Sequence, residues 1–259
     1  MTVQILKRAP SLKNSIGDAE WQARIELAAA YRLMDREGIT DLAHNHICLR
    51  VPGEPDAFLM KTPEAFFEEV TASRLEKYDF KGNPRQEGLG PIRGAGVFHA
   101  AILEARPDLN ATIHSHSPAN IAVSAQTFGL LPMSQHALHF LGKVAYHDYG
   151  GLEADKSLIP NIVRALGDKP VALLRNHGAL VCGRSMGEAY VGHHQFEMAC
   201  RAQVAALAAG RDHVGLIDPA AQRYTTQQFD AGDSRRSGGG KDWQGLLRRA
   251  DRLFPDYRD

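Results

Sequence analysis

Two short stretches hold the residues best suited to chemistry: Thr112-Ile113-His114-Ser115-His116-Ser117-Pro118 and, further along, Asn176-His177-Gly178. Leu109, Ala111 and Ile113 alternate with polar positions, the pattern of a strand, which projects His114 and His116 from one face. Two imidazoles so placed can converge on one ion. Ser117 has the form of a helix N-cap and Pro118 suits the first helical position, so a helix is expected just after the second histidine. His177 follows the apolar run Val171-Ala172-Leu173-Leu174, a buried strand by pattern, and precedes Gly178, where a sharp turn is expected. Three imidazoles without a cysteine match a catalytic rather than a structural zinc site, because structural sites are closed by four ligands. The same residues also fit polar groups at strand ends satisfied by the backbone.

Those strands need a scaffold, and the sequence alternates helical and extended patterns to supply it. Asp18 to Glu37 sets Leu27, Ala28, Tyr31 and Met34 in one helical stripe, ended by Gly38. Extended segments are expected at Ile47 to Val51 and Ala57 to Lys61, a helical turn at Thr71 to Lys77, and helices at Val97 to Ala105 and Ser117 to Gln126. Asp155 to Leu166 is a further helix by pattern. Ser185-Met186-Gly187-Glu188 has the form of a capping box opening a helix that runs to about Ala209. By pattern, residues 1–17 are an extension, 211–240 a polar linker, and 241–259 a tail with helical periodicity through Leu246, Leu247 and Leu253 that is expected to dock.

Composition narrows the function classes. The chain has 259 residues, 44% of them hydrophobic, and 30 basic residues balance 30 acidic ones. Scattered Lys and Arg give no footprint for nucleic acid or an anionic membrane. Cys48, Cys182 and Cys200 share no metal-ligand spacing, and the N-terminus lacks a signal-peptide core, so the expectation is a soluble cytoplasmic protein with reduced thiols.

An ordered series of motifs then carries a resemblance. Asn45-His46-Ile47, Thr71-Ala72-Ser73, Ala105-Arg106-Pro107-Asp108, His114-Ser115-His116, Val144 to Tyr149 and Leu174 to Gly178 together resemble the class II aldolase/adducin family, more its adducin-head branch than its sugar-phosphate aldolases. The match covers roughly residues 18–210. It implies an α/β fold, a three-layer α/β/α sandwich with a largely antiparallel central sheet, assembled as a homo-oligomer, typically a tetramer. It also implies one divalent metal ion, zinc first with manganese or iron(II) as alternatives, bound by His114, His116 and His177. In the aldolases such an ion acts as a Lewis acid that stabilises an enediolate.

Departures from the family pattern redirect the expected chemistry. The family's catalytic glutamate position falls on Ala95, and its phosphate-binding serines and Thr-Gly pair read as Gly94 with a non-serine neighbour and Glu64-Ala65. A carboxylate at Glu64 repels a phosphate dianion. A small, oxygenated, non-phosphorylated substrate is therefore expected, cleaved by an aldol-type or decarboxylating lyase. An iron(II) oxygenase and a non-catalytic adducin-like module are the alternatives. His136, followed by His139, is the candidate acid/base because imidazole titrates near neutrality, with Glu87 a further carboxylate in reach. Asn45, Arg93 and Gly94 are the candidate substrate-binding positions, Arg93 through bidentate recognition of a carboxylate.

Overall fold

The first helix forms along the apolar stripe. In the computed structural model, which describes residues 11–92, 96–151, 157–236 and 239–259, helix α1 spans Asp18–Arg36 and buries Leu27, Ala28, Tyr31 and Met34. Asp18 and Glu20 in its first turn complement the positive end of the helix. Strands β1 (His46–Val51) and β2 (Glu54–Lys61) follow as an antiparallel hairpin that turns through Gly53 at φ 82°. The Tyr31 hydroxyl pins the start of β1, accepting from Ile47 N–H at 2.9 Å and donating to the Ile47 carbonyl at 2.5 Å.

Thr71 to Lys77 departs from the helical reading. Ala72–Arg74 is one 3-10 turn, and Leu75–Asp79 is strand β3. Pairing with β2 in the register Lys61↔Leu75 to Ala57↔Asp79 outweighs the local helical preference, and it buries Leu75 and Tyr78.

Helix α2 (Gly96–Ala105) leads into β4 (Ala111–Ser115), followed by α3 (Pro118–Ala125), the single-turn α4 (Gln135–Leu138) and β5 (Val144–His147). Then come α5 (Ile159–Leu166), β6 (Val171–Leu174), β7 (Gly178–Gly183) and the long α6 (Met186–Leu207). The expected start of α5 at Asp155 lies outside the described residues. Ser117 and Ser185 cap α3 and α6, accepting from Asn120 N–H and Glu188 N–H, both at 3.1 Å.

The seven strands form one sheet in the order β3-β2-β1-β4-β7-β6-β5, antiparallel except for the β5–β6 pair. Alternation divides the side chains between two covered faces. Ile47, Leu49, Ala111 and Ile113 pack toward α1 and α6, whereas Cys48, Phe58, Leu180 and Cys182 pack toward α2 and α5. Strand β4 lies fourth of seven and is buried throughout. Its end is therefore held from both sides and both faces.

The segment read as a polar linker carries helix α7 (Pro219–Arg236). Asp218 starts it, its Oδ1 accepting from Ala220 N–H at 2.8 Å, with proline at the first helical position. Among the described side chains the helix is mostly exposed, with Lys143–Asp230 at 2.8 Å one of its attachments, which explains why its composition reads as solvent-facing. Helix α8 (Gly240–Leu253) and the final turn dock on α1, burying Trp243, Ala250 and Tyr257. Ser73 N–H donates to the carbonyl of Asp259 at 2.8 Å. Among the described residues no helix is long and apolar enough to cross a membrane.

Candidate metal centre

The end of β4 and the turn from β6 to β7 meet at three imidazoles. His116 Nε2 lies 2.9 Å from His114 Nε2 and 2.8 Å from His177 Nε2. The β6–β7 turn that delivers His177 works differently from the sequence expectation. Asn176, not Gly178, takes the left-handed conformation, at φ 59°, which asparagine tolerates better than most residues. Gly178 is required by close approach: a Cβ there would lie 2.3 Å from the Ser115 carbonyl oxygen and 3.3 Å from His116 Cδ2. The glycine lets β7 press against the ligand-bearing end of β4.

Hydrogen bonds on the far sides of two rings decide what the near sides can do. His114 Nδ1 is 3.0 Å from the Ala179 carbonyl oxygen, an acceptor, so Nδ1 carries the proton. His116 Nδ1 is 2.9 Å from Asp41 Oδ2, which again requires Nδ1–H. In the neutral rings both Nε2 atoms therefore present lone pairs to each other at 2.9 Å. Two lone pairs at that distance repel unless an electrophile lies between them, so the donor set fits a divalent cation. Carboxylate and carbonyl partners behind ligating imidazoles are the usual means of fixing tautomer and ring orientation. Burial, reinforced by neighbouring imidazoles, holds His114 well below the usual histidine range, so it is neutral and available as a ligand.

A second histidine pair backs the first. His46 pairs with His114 across the β1–β4 ladder, with ring centroids 4.9 Å apart. Its Nδ1 lies 2.5 Å from His99 Nε2, and His99 Nδ1 lies 2.6 Å from Thr112 Oγ1. Burial lowers His99 to about 3 and pushes His46 down as well, so this chain stays neutral. His116 follows the last ladder pair of β4, and its N–H donates instead to Asn45 Oδ1 at 3.0 Å. Lys61 is buried near the same end of the sheet, its Nζ donating to the Ala43 carbonyl at 3.1 Å, and burial lowers it to about 8.

The residues singled out in the sequence divide into three groups. His114, His116 and His177 come together, with Asn45 beside them. His136 is exposed on α4, and His139 at the end of α4 stacks on Phe229 of α7 with centroids 3.5 Å apart. Arg93, Gly94 and Ala95 lie outside the described residues. Glu87 is exposed, and Glu64 accepts a hydrogen bond from Thr62 Oγ1 at 2.5 Å. Tyr257 is fully buried, donating to Asp251 Oδ1 at 2.8 Å. Asp41 and Lys61 were missed by sequence reasoning. Their one signal was position: Asp41 shortly before Asn45-His46, and Lys61 a charge ending an otherwise core-facing strand.

Comparison with known proteins places this geometry. Residues 25–204 match the model of the Class II Aldolase and Adducin N-terminal domain. A "Putative aldolase class 2 protein" of Caulobacter vibrioides is 42% identical over 250 residues, covering 96% of each chain. The crystal structure of an aldolase II superfamily protein from Pseudomonas syringae superposes with a TM-score of 0.89 at 40% identity, over 96% of this chain and 100% of that one. An L-fuculose 1-phosphate aldolase from Glaciozyma antarctica superposes with a TM-score of 0.79 at 25% identity, over 97% of both chains.

Proposed function

The chain belongs to the class II aldolase and adducin family, and from that premise we propose that it is a metal-dependent carbon–carbon lyase acting on a small, oxygenated, non-phosphorylated substrate. The observation that carries this reading is the convergence of three Nε2 atoms, two with their protons committed to Ala179 and Asp41 on the other side of the ring. His114, His116 and His177 would hold one divalent ion, zinc or alternatively manganese or iron(II). Such an ion supplies Lewis-acid stabilisation of negative charge developing on a substrate oxygen.

The chain's own residues do the rest. The histidines keep one ring nitrogen each for the ion, and the Asn45 side chain fixes the backbone at His116. Lys61 adds a buried cation to this end of the sheet, which suits a substrate with an anionic oxygen. Arg93 and Gly94 are kept in this reading as substrate-side positions. The Glu64 carboxylate, where the family's aldolases place a phosphate subsite, supports a substrate without phosphate. Proton transfer is assigned to His136, with His139 second. In this reading exposed His136 serves a site across a subunit boundary in a homo-oligomer.

The test is an assay against a panel of hydroxy-ketones and keto acids, detecting carbonyl products and carbon dioxide. Activity is expected to disappear on chelation, return with zinc, manganese or iron(II), and persist under argon. Full activity in chelated, metal-free protein would refute the lyase reading. Activity that needs dioxygen would replace it with the iron(II) oxygenase.

A further inference from the structure

The segment that carries two of the histidines alternates in type, His114-Ser115-His116-Ser117, and the structure separates the two types. While the imidazoles converge with His177, the hydroxyls turn to the opposite side, toward α3 and α6. Ser115 Oγ lies 2.7 Å from His193 Nε2 and accepts from Asn120 Nδ2 at 3.1 Å. Ser117 Oγ donates to Glu197 Oε2 at 2.5 Å while it accepts from Asn120 N–H at 3.1 Å. All five of these side chains belong to residues no more than 3% exposed.

The spacing is matched. His193 and Glu197 are four apart on α6, which separates them by about 6 Å along the helix. Ser115 and Ser117 are two apart on extended chain, a separation of about 6.6 Å. One helix face therefore meets one side of the strand end at two successive points, and sliding α6 along β4 would break both hydrogen bonds together. Polar groups here are costly to bury, and burial holds His193 down to about 4, while Arg201 Nε balances Glu197 at 2.6 Å. Phe196 and Cys200 on the same helix are buried apolar residues, so an apolar contact was available to this fold.

His116 is the residue that needs such support. The β4–β7 register ends at Ser115↔Ala179, one residue before His116. Its backbone is held by Asn45 through its own N–H and by the anchored serines on either side of it. We propose that His193 and Glu197 of α6 are positioning residues for the metal centre: by anchoring Ser115 and Ser117 they keep His116 Nε2 convergent with His114 and His177. This inference rests on the reading of the three histidines as metal ligands.

The experiment is cobalt(II) titration of the full chain, reading the dissociation constant and the visible d–d spectrum, which reports ligand geometry at the ion. His193→Leu, Ser115→Ala and Ser117→Ala are each expected to weaken cobalt binding by up to about 10-fold, the lower end of the loss when a ligand's direct hydrogen-bonding partner is removed, and to alter the d–d bands. Glu197→Gln, which keeps an acceptor for Ser117, is expected to restore binding to near wild type relative to Glu197→Ala. Ser115→Ala combined with His193→Leu should cost no more than the larger single change, because both remove the same contact. If His193→Leu fails to fold, Ser115→Ala, which deletes one oxygen, carries the same expectation. Wild-type affinity and superimposable spectra in the folded variants would overturn the positioning role while leaving the three-histidine centre standing. Absence of saturable cobalt binding in the wild-type protein would overturn the metal reading, and this inference with it.

Discussion

The end of β4 and the α4–α7 contact are both rich in histidine, yet they are built in opposite ways. At β4, each of His114 and His116 has a defined acceptor behind it, and the two Nε2 atoms face each other. At α4, His136 is exposed and His139 presents its ring face to Phe229. An imidazole with a fixed tautomer suits a metal ion, whereas His139 rests its ring on an aromatic face at the α4–α7 contact. Residue type is equal in the two regions; what each ring rests against, an acceptor behind it at β4 and an aromatic face at α4–α7, differs.

Substitutions can break that contrast, beginning where the effect is largest. His114→Ala removes a ligand and is expected to lower metal affinity by more than about 100-fold, beyond the range seen when only an outer partner is lost; equilibrium dialysis against zinc measures it. Asp41→Asn leaves the ligands in place but removes the carboxylate behind His116, and competition with a chromogenic chelator should show a loss of about 10–100-fold. Gly178→Ala forces a Cβ against the Ser115 carbonyl at an unrelaxed distance of 2.3 Å. Chemical denaturation should register about 1–3 kcal/mol of destabilisation, with metal affinity falling as well. His139→Ala belongs to the other region and should cost about 0.5–1.5 kcal/mol from the lost stacking on Phe229. Amide exchange should quicken in α7, and metal affinity should not change.

Acid stability tests the burial around β4 in another way. His99 and His193 are held at about 3 and about 4 by burial, below the value of about 6.5 in an unfolded chain. Above pH ~6.5 neither state binds the extra protons, and their contribution to stability is complete. As pH falls below that, the unfolded chain takes up protons that the folded one refuses, so stability declines by up to about 1.4 kcal/mol per pH unit for each histidine. The decline ends near pH ~4 for His193 and ~3 for His99. Urea midpoints measured between pH 7 and 4 check the slope, and His193→Gln should remove one histidine's share.

How much of this was legible in the sequence follows from which atoms do the work. Hydrophobic alternation and capping residues announced β1, β4, β6, α1, α3 and α6, and three ligand candidates stood in recognisable motifs. The acceptor behind His114 is a backbone carbonyl, which has no residue identity to read. Asp41 looked like any loop carboxylate until the fold brought it to His116. Gly178 was legible as a special position but for the wrong reason, since its role is contact with a strand distant in sequence. Strand β3 was misread because its pairing with β2, not its own composition, sets its conformation. Helix α7 was misread because a mostly exposed helix carries a linker's polarity.

The central claim is that three histidines, two of them oriented from behind by Asp41 and Ala179, form a single divalent-metal centre. An anomalous-diffraction map of crystals of the protein as purified, collected at the zinc, iron and manganese edges, tests it directly. The account predicts one peak per chain, about 2.0–2.1 Å from each of the three Nε2 atoms if the metal is zinc. A map without a peak there, or with the metal held by other residues, would contradict it.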